Sequence, residues 1–249
     1  MEMLIVAPLL PLFPLSMVYT TLFDRLTHPW ARIALLLLWP QAGLLALMQT
    51  DINLPDGVLV WALASALLYA FRALALREAG LWIAFMAMSC WALLWLLAAT
   101  TAPNGPLHWQ ALGLSAPLVL LTLLNAGIAR RFGAAYVGVS PALAHCAPRL
   151  AGLLTLTVLA AVATPLFPGF FTLFALVMNT APAMPWAAVA IASVWLLWSW
   201  SGAQLIQGLV IGPAGPMPVS DLGTASTWAY GIGLTALGLA GIHLAGILL

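Results

Sequence analysis

The sequence contains no lysine at all, and its seven arginines and six acids make up 5% of 249 residues. Soluble domains carry about 25% charged residues, so water is excluded as the solvent of this chain. A net charge of +1, spread thinly, argues against nucleic acid as a partner and against a basic patch for an anionic surface. Two cysteines, Cys90 and Cys146, give neither a disulfide framework nor a metal spacing. Paired carboxylates, metal-spaced His and Asp, a nucleophile elbow and a phosphate-cradling loop are missing too. An enzyme is therefore not expected, and neither a cofactor nor a metal is implied.

What is present is apolar: 64% of residues are hydrophobic and mean hydropathy is +1.10. A spanning helix takes roughly 20 apolar residues. Splitting the runs at Pro, Gly and charge predicts spans over 3–22, 31–49, 57–75, 80–101, 109–129, 149–164, 169–182, 186–211 and 227–248. The sixth and seventh are short and read equally as a re-entrant or broken pair. Leu- and Ala-rich runs without period-two alternation favour helices over a barrel. The expected fold is all-α, a polytopic bundle of eight or nine spans filling residues 1–249 as a single transmembrane domain. The opening Met-Glu-Met-Leu-Ile lacks a cationic leader, so it reads as a retained first span. Residues 132–148, with Gly133, Gly138, Pro141, His145 and Pro148, read as an interfacial segment.

Arginines cluster in alternate connections: Arg25 and Arg32, Arg72 and Arg77, then Arg130 and Arg131. Positive charge stays on the cytoplasmic side, which puts the N-terminus outside and, for an odd count, the C-terminus inside. A bacterial inner membrane is the expected location. The connections holding Asp51 and Asp56, or Pro103 to Pro106, agree with an outer position.

Ionisable groups inside membrane spans are the usual markers of ion paths. Here the acids Glu2, Asp24, Asp51, Asp56, Glu78 and Asp221 all fall at termini, connections or span edges, and Arg72 lies close enough to a span end to snorkel. His243, within the last span, is the leading single candidate for proton handling; a neutral histidine bonded to a neighbouring helix explains it as well. His28, His108 and His145 lie at span ends or in connections, which does not give the facing pair that a haem requires. Ser201, Gln204 and Gln207 step by three along the eighth span, so they lie along one side of it. Either they line a polar path or they bond neighbouring helices, and Asn125 and Asn179 allow the same two readings. The glycines of the last span are expected to serve close helix packing. The twelve tryptophans fit an aromatic belt and protein contacts.

The stretch Ala163-Thr164-Pro165-Leu166-Phe167-Pro168-Gly169-Phe170 resembles a helix junction of the antiporter-like proton-translocating subunits. These occur in respiratory complex I, Mrp antiporters, membrane-bound hydrogenases and Dab-type inorganic-carbon systems. A short helix, a Pro-marked turn and a long helix closing on Ile211-Gly212-Pro213 follow, in the family's order. Ala7-Pro8-Leu9-Leu10-Pro11-Leu12-Phe13-Pro14 is similar to its Pro-containing first helix.

The resemblance implies a broken helix at Pro165, Pro168 and Gly169. It also implies partners: other membrane subunits of a hetero-oligomeric complex, including a full-length antiporter-like or catalytic subunit. Family members move protons through buried Lys and Glu and have more spans. This chain offers Phe171 and Thr172 where the family places an acid, and Ser201, Gln204 or Gln207 at its later charged position. The expected function is thus an accessory membrane subunit of a proton-coupled complex, for inorganic-carbon uptake or respiratory energy coupling. The rival is a stand-alone small-solute transporter or channel.

Overall fold

The structure, a computed structural model, describes residues 3–49, 54–101, 105–133, 135–137, 142–211 and 220–248. Glu2, Asp51, Pro103, Gly138, Pro141 and the Gly212-Pro213 pair lie outside the described residues. Those described form helices α1 (Met3–Leu9), α2 (Met17–Arg25), α3 (Pro29–Met48), α4 (Asp56–Ala73), α5 (Ala79–Ala92) and α6 (Leu94–Thr100). They continue with α7 (Leu107–Phe132), α8 (Leu143–Cys146), α9 (Pro148–Ala161), α10 (Pro168–Thr180), α11 (Pro185–Val210) and α12 (Thr224–Leu248). Six stretches are long and apolar enough to cross a membrane: α3, α4, α5 with α6, α7, α11 and α12. The protein is an integral membrane protein built as a polytopic helical bundle.

Helix starts follow local chemistry. Four helices, α3, α9, α10 and α11, open on a proline, whose missing N–H is unneeded in a first turn and whose φ is already helical. Pro40 and Pro117 lie inside α3 and α7; in a membrane bundle neighbouring helices compensate the lost hydrogen bond.

A helix apolar on every side belongs in the middle, and α5–α6 is the innermost element, with 83% of its window buried. Trp82, Trp91 and Trp95 sit there fully buried. Helices α4 and α7 pack along it, and α2 and α11 touch it. At the periphery, α12 has only 22% of its window buried and turns Trp228, Ile232, Leu239 and Ile242 outward.

The predicted first span, 3–22, is two short helices rather than one. Helix α1 stops at Leu9, irregular backbone runs to Ser16, and α2 begins at Met17. In hydrocarbon the freed backbone groups must be satisfied by protein, and distant side chains do so. Trp39 Nε1 donates to Pro8 O (3.2 Å), Trp95 Nε1 to Leu10 O (3.1 Å) and Trp61 Nε1 to Phe13 O (2.6 Å), while Ser65 Oγ accepts from Phe13 N–H (3.0 Å). An indole can only donate, so it suits an orphaned carbonyl. The tryptophans are therefore interior fasteners as well as a belt: Trp91 Nε1 bonds Ser115 Oγ (3.0 Å), and Trp198 Nε1 reaches Ser89 Oγ (2.9 Å), which bonds Ala66 O (2.7 Å).

Between α7 and α9 the described residues of the segment expected at the interface form the one-turn α8, and Tyr136 makes an isolated antiparallel bridge with Glu78. Arg72, exposed in the last turn of α4, lies over the Phe85 ring at 5.4 Å.

Candidate functional site

The interruption between α9 and α10 contains the two non-glycine residues with positive φ among the described residues. Helix α9 has 14 residues and α10 has 13, lengths of about 21 and 20 Å at 1.5 Å per residue. Each falls short of a hydrocarbon core of roughly 30 Å. The two barely touch, and α7, α11 and α12 each pack against both. Between them Ala163 and Leu166 adopt φ of 59° and 95°, a region that side-chain-bearing residues avoid.

Three features hold that backbone. Trp195 Nε1 of α11 donates to both Val162 O and Ala163 O, at 3.2 Å each. Thr164 N–H and Oγ1 both reach back to Leu159 O, at 3.2 and 3.0 Å. Glycines permit close approach: a Cβ on Gly113 would lie 2.7 Å from Pro168 Cβ, and one on Gly241 would lie 2.2 Å from Leu166 O. Of the predicted junction residues, Pro165 is exposed while Pro168 and Gly169 are buried.

The junction carries no titratable side chain of its own. Beside it, His243 of α12 lines a groove of about 280 Å³ with Trp109, Gly113, Pro168 and Leu244, so the structure does bring His243 to the break. Two buried polar atoms lie on helices that meet there and have no partner among the described residues, Gln110 Oε1 on α7 and Thr172 Oγ1 on α10. Buried groups of this kind take up ordered water. Neither atom belongs to the lining of the His243 groove, which is otherwise apolar.

The other predicted residues lie apart from it. Ser201 is buried and donates to Trp198 O of its own helix (3.0 Å). Gln204 is exposed and joins two helices: with its amide oriented to satisfy both ends, Nε2 donates to Leu74 O and Oε1 accepts from Trp200 Nε1, both at 3.0 Å. Gln207 is exposed. Asn125 faces a different crevice, beside Arg32 and Arg130. Among the described residues no group of three or more His, Cys, Asp or Glu could hold a metal.

One contact that the sequence did not reveal ties the end of the molecule together. Asp221, just before α12, accepts Arg149 N–H (2.9 Å), Leu150 N–H (3.2 Å) and its own neighbour Leu222 N–H (2.7 Å). It caps α9, whose own N-terminus has no side-chain cap, from the far end of the sequence. Partial burial pushes its pKa up, but the three N–H donors and the Arg149 charge outweigh that and hold it below 3.8. A depressed carboxylate stabilises the fold above its ordinary range and loses that effect as pH falls through its lowered native value. Asp221→Asn is expected to cost about 1 kcal/mol at neutral pH, and the gap from the parent should close as pH falls through the lowered native value. Melting temperatures in neutral detergent across that range would reveal it.

No family model matches the sequence, and neither does any curated protein. Solved structures do match. A chain of respiratory complex I from Thermus thermophilus aligns with a TM-score of 0.85 and 24% identity, over 97% of this chain and 54% of that one. A chain of the Mrp complex from Dietzia sp. DQ12-45-1b aligns with a TM-score of 0.81 and 16% identity, over 97% and 56%. A chain of the membrane-bound sulfane sulfur reductase, an archaeal respiratory membrane complex, aligns with a TM-score of 0.84 and 15% identity, over 98% and 52%. The fold is therefore shared with a chain in each of these complexes, two of which are of the kinds the helix-junction motif resembles, and this chain spans about half the length of those chains.

Proposed function

We propose that the protein is an accessory membrane subunit of a proton-coupled multisubunit complex, docked against a full-length antiporter-like or catalytic subunit in a bacterial inner membrane. The observation that carries this reading is the shared fold: nearly the whole chain superposes on part of a subunit in three membrane complexes. Two of those complexes are respiratory by name, which favours energy coupling; inorganic-carbon uptake is the alternative setting. The absence of lysine leaves no amine to relay protons, and the Gln204 amide, bonded at both its nitrogen and its oxygen, argues against a solute path along α11. Affinity purification after mild detergent extraction should return further membrane subunits in fixed ratio. Recovery of this polypeptide alone as a monodisperse monomer would overturn the proposal.

The hydrogen bonds from Asp221 to the start of α9 support a topology of eight crossings. On this reading the beginning of α9 and the beginning of α12 lie on one side of the membrane, supported by those bonds and by Arg131 Nε at the end of α7 donating to Ser220 O (3.1 Å). Helix α11, 26 residues long, crosses once. Two full passes by α9 and α10 would then separate groups that are bonded, so the interrupted pair makes a single pass. With α1–α2 as the first crossing, both termini lie outside and all seven arginines inside, in keeping with the charge rule. Single cysteines in a thiol-free background, His145→Cys and Ser220→Cys, should react with a membrane-impermeant maleimide from the same side. Labelling from opposite sides would rule the topology out.

A further inference from the structure

We infer that the crevice between the start of α3 and the end of α7 binds the headgroup of an anionic, hydroxyl-bearing glycerophospholipid, of the phosphatidylglycerol type. The crevice holds about 510 Å³ and is lined by His28, Trp30, Arg32, Thr122, Asn125 and Arg130. Its two cations come from different helices. Among the described residues each gives only its Nε to protein: Arg32 to Leu26 O (2.7 Å), Arg130 to Ala126 O (3.2 Å). Their terminal nitrogens stay free for a phosphate, the planar fork that guanidinium offers an anion.

Arg32 is held in place from below by the Phe23 ring, 4.9 Å from its central carbon, and neither arginine has a carboxylate within ion-pair distance among the described residues. One acid, Glu78, approaches the inner wall at Gly80 together with Arg32 Nη1 and Asn125 Nδ2. Its carboxylate takes the Tyr136 hydroxyl at 3.5 Å. No side chain caps α3, which adds the positive end of a 20-residue helix.

The deep end explains the hydroxyl requirement. Asn125 is 9% exposed and its Oδ1 is buried without a donor among the described residues. A phosphodiester seated on the arginines would carry its glycerol hydroxyl toward that acceptor. The rim identifies the ligand as a lipid: Trp30, 65% exposed, and Ala126 and Ala129 offer an apolar border at the depth where indoles and headgroups meet. Basic pockets between membrane helices on the inner face are suited to such headgroups. A lipid seated here would bridge α3 and α7.

The test is native mass spectrometry of the full chain, extracted with its partners and exposed to dioleoyl phosphatidylglycerol or dioleoyl phosphatidylcholine. Preferential retention of phosphatidylglycerol is expected, reduced about fivefold by Arg32→Gln and by Arg130→Gln. Arg77→Gln, outside the crevice, should leave it unchanged. Arg130 is exposed and bonds only its own helix, so Arg130→Gln keeps the result readable should Arg32→Gln loosen the bundle. Equal retention in Arg130→Gln and Arg77→Gln would overturn the inference. Displacement of the lipid by inorganic phosphate at equal concentration would do the same, by marking the crevice as a free-anion site.

Discussion

Gly241→Ala is expected to unfold or loosen the junction more than any other single methyl added to α12. The new Cβ would stand 2.2 Å from Leu166 O and 2.9 Å from Phe167 C. Both are backbone atoms of a segment already held at positive φ, so neither can rotate aside as a side chain would. Either α12 moves away from the break or the turn rebuilds, and overpacking of this kind costs about 3 kcal/mol. Gly246, on the same helix, meets nothing within 4 Å. Gly246→Ala should be neutral or slightly stabilising, by the helix propensity that alanine adds. Thermal unfolding of the two variants in one detergent separates the steric effect from any general change in α12. Equal melting temperatures for both would mean that α12 does not rest on the junction.

Trp195→Phe is the second large effect. Phenylalanine keeps a ring near Phe170, which Trp195 meets edge-on at 5.4 Å between centroids, but it removes the N–H shared by Val162 O and Ala163 O. Leaving buried acceptors unpaired costs about 1–3 kcal/mol each, and lipid offers no replacement. An overall loss of about 2–4 kcal/mol is expected, together with faster amide exchange confined to residues 159–168 as that turn frays. Hydrogen–deuterium exchange reads both. Exchange unchanged in that segment would show that the turn is held by packing alone.

The sequence announced the helices well because their signals are local. Long apolar runs marked α3, α4, α5–α6, α7, α11 and α12, and prolines marked four helix starts. The junction motif likewise named the break at Pro165, Pro168 and Gly169, where a proline starts α10 and blocks continuation of α9. What stayed hidden depends on contacts between distant residues. Pro8, Pro11 and Pro14 were read within one span, because the donors that make a break tolerable, Trp39, Trp61 and Trp95, lie on helices whose approach only the fold reveals.

Asp221 gave no sign of capping α9. The available clue was negative: α9 opens at Ala147-Pro148 with none of the Ser, Thr, Asp or Asn that usually precede a helix, so its cap had to come from elsewhere. The three-residue spacing of Ser201, Gln204 and Gln207 was real, yet the face it marks turns from interior to exterior. Steps of three drift by 60° per step on a 3.6-residue helix, enough for Ser201 to be buried and Gln207 exposed. Arg32 and Arg130 were legible only as markers of sidedness; their convergence on one crevice required the pairing of α3 with α7.

The indole that closes the α9–α10 turn belongs to α11, which emerges from the ribosome after both halves of the interrupted helix. Until Trp195 arrives, Val162 and Ala163 present bare carbonyls, so that segment has reason to remain near the translocon's aqueous interior rather than partition outward. The first break is subject to the same delay for longer, since the last of its indole donors, Trp95, is 85 residues downstream of Leu10. Membrane integration of this chain should therefore proceed out of sequence order, with the uninterrupted helices settling first and the broken ones closing around them.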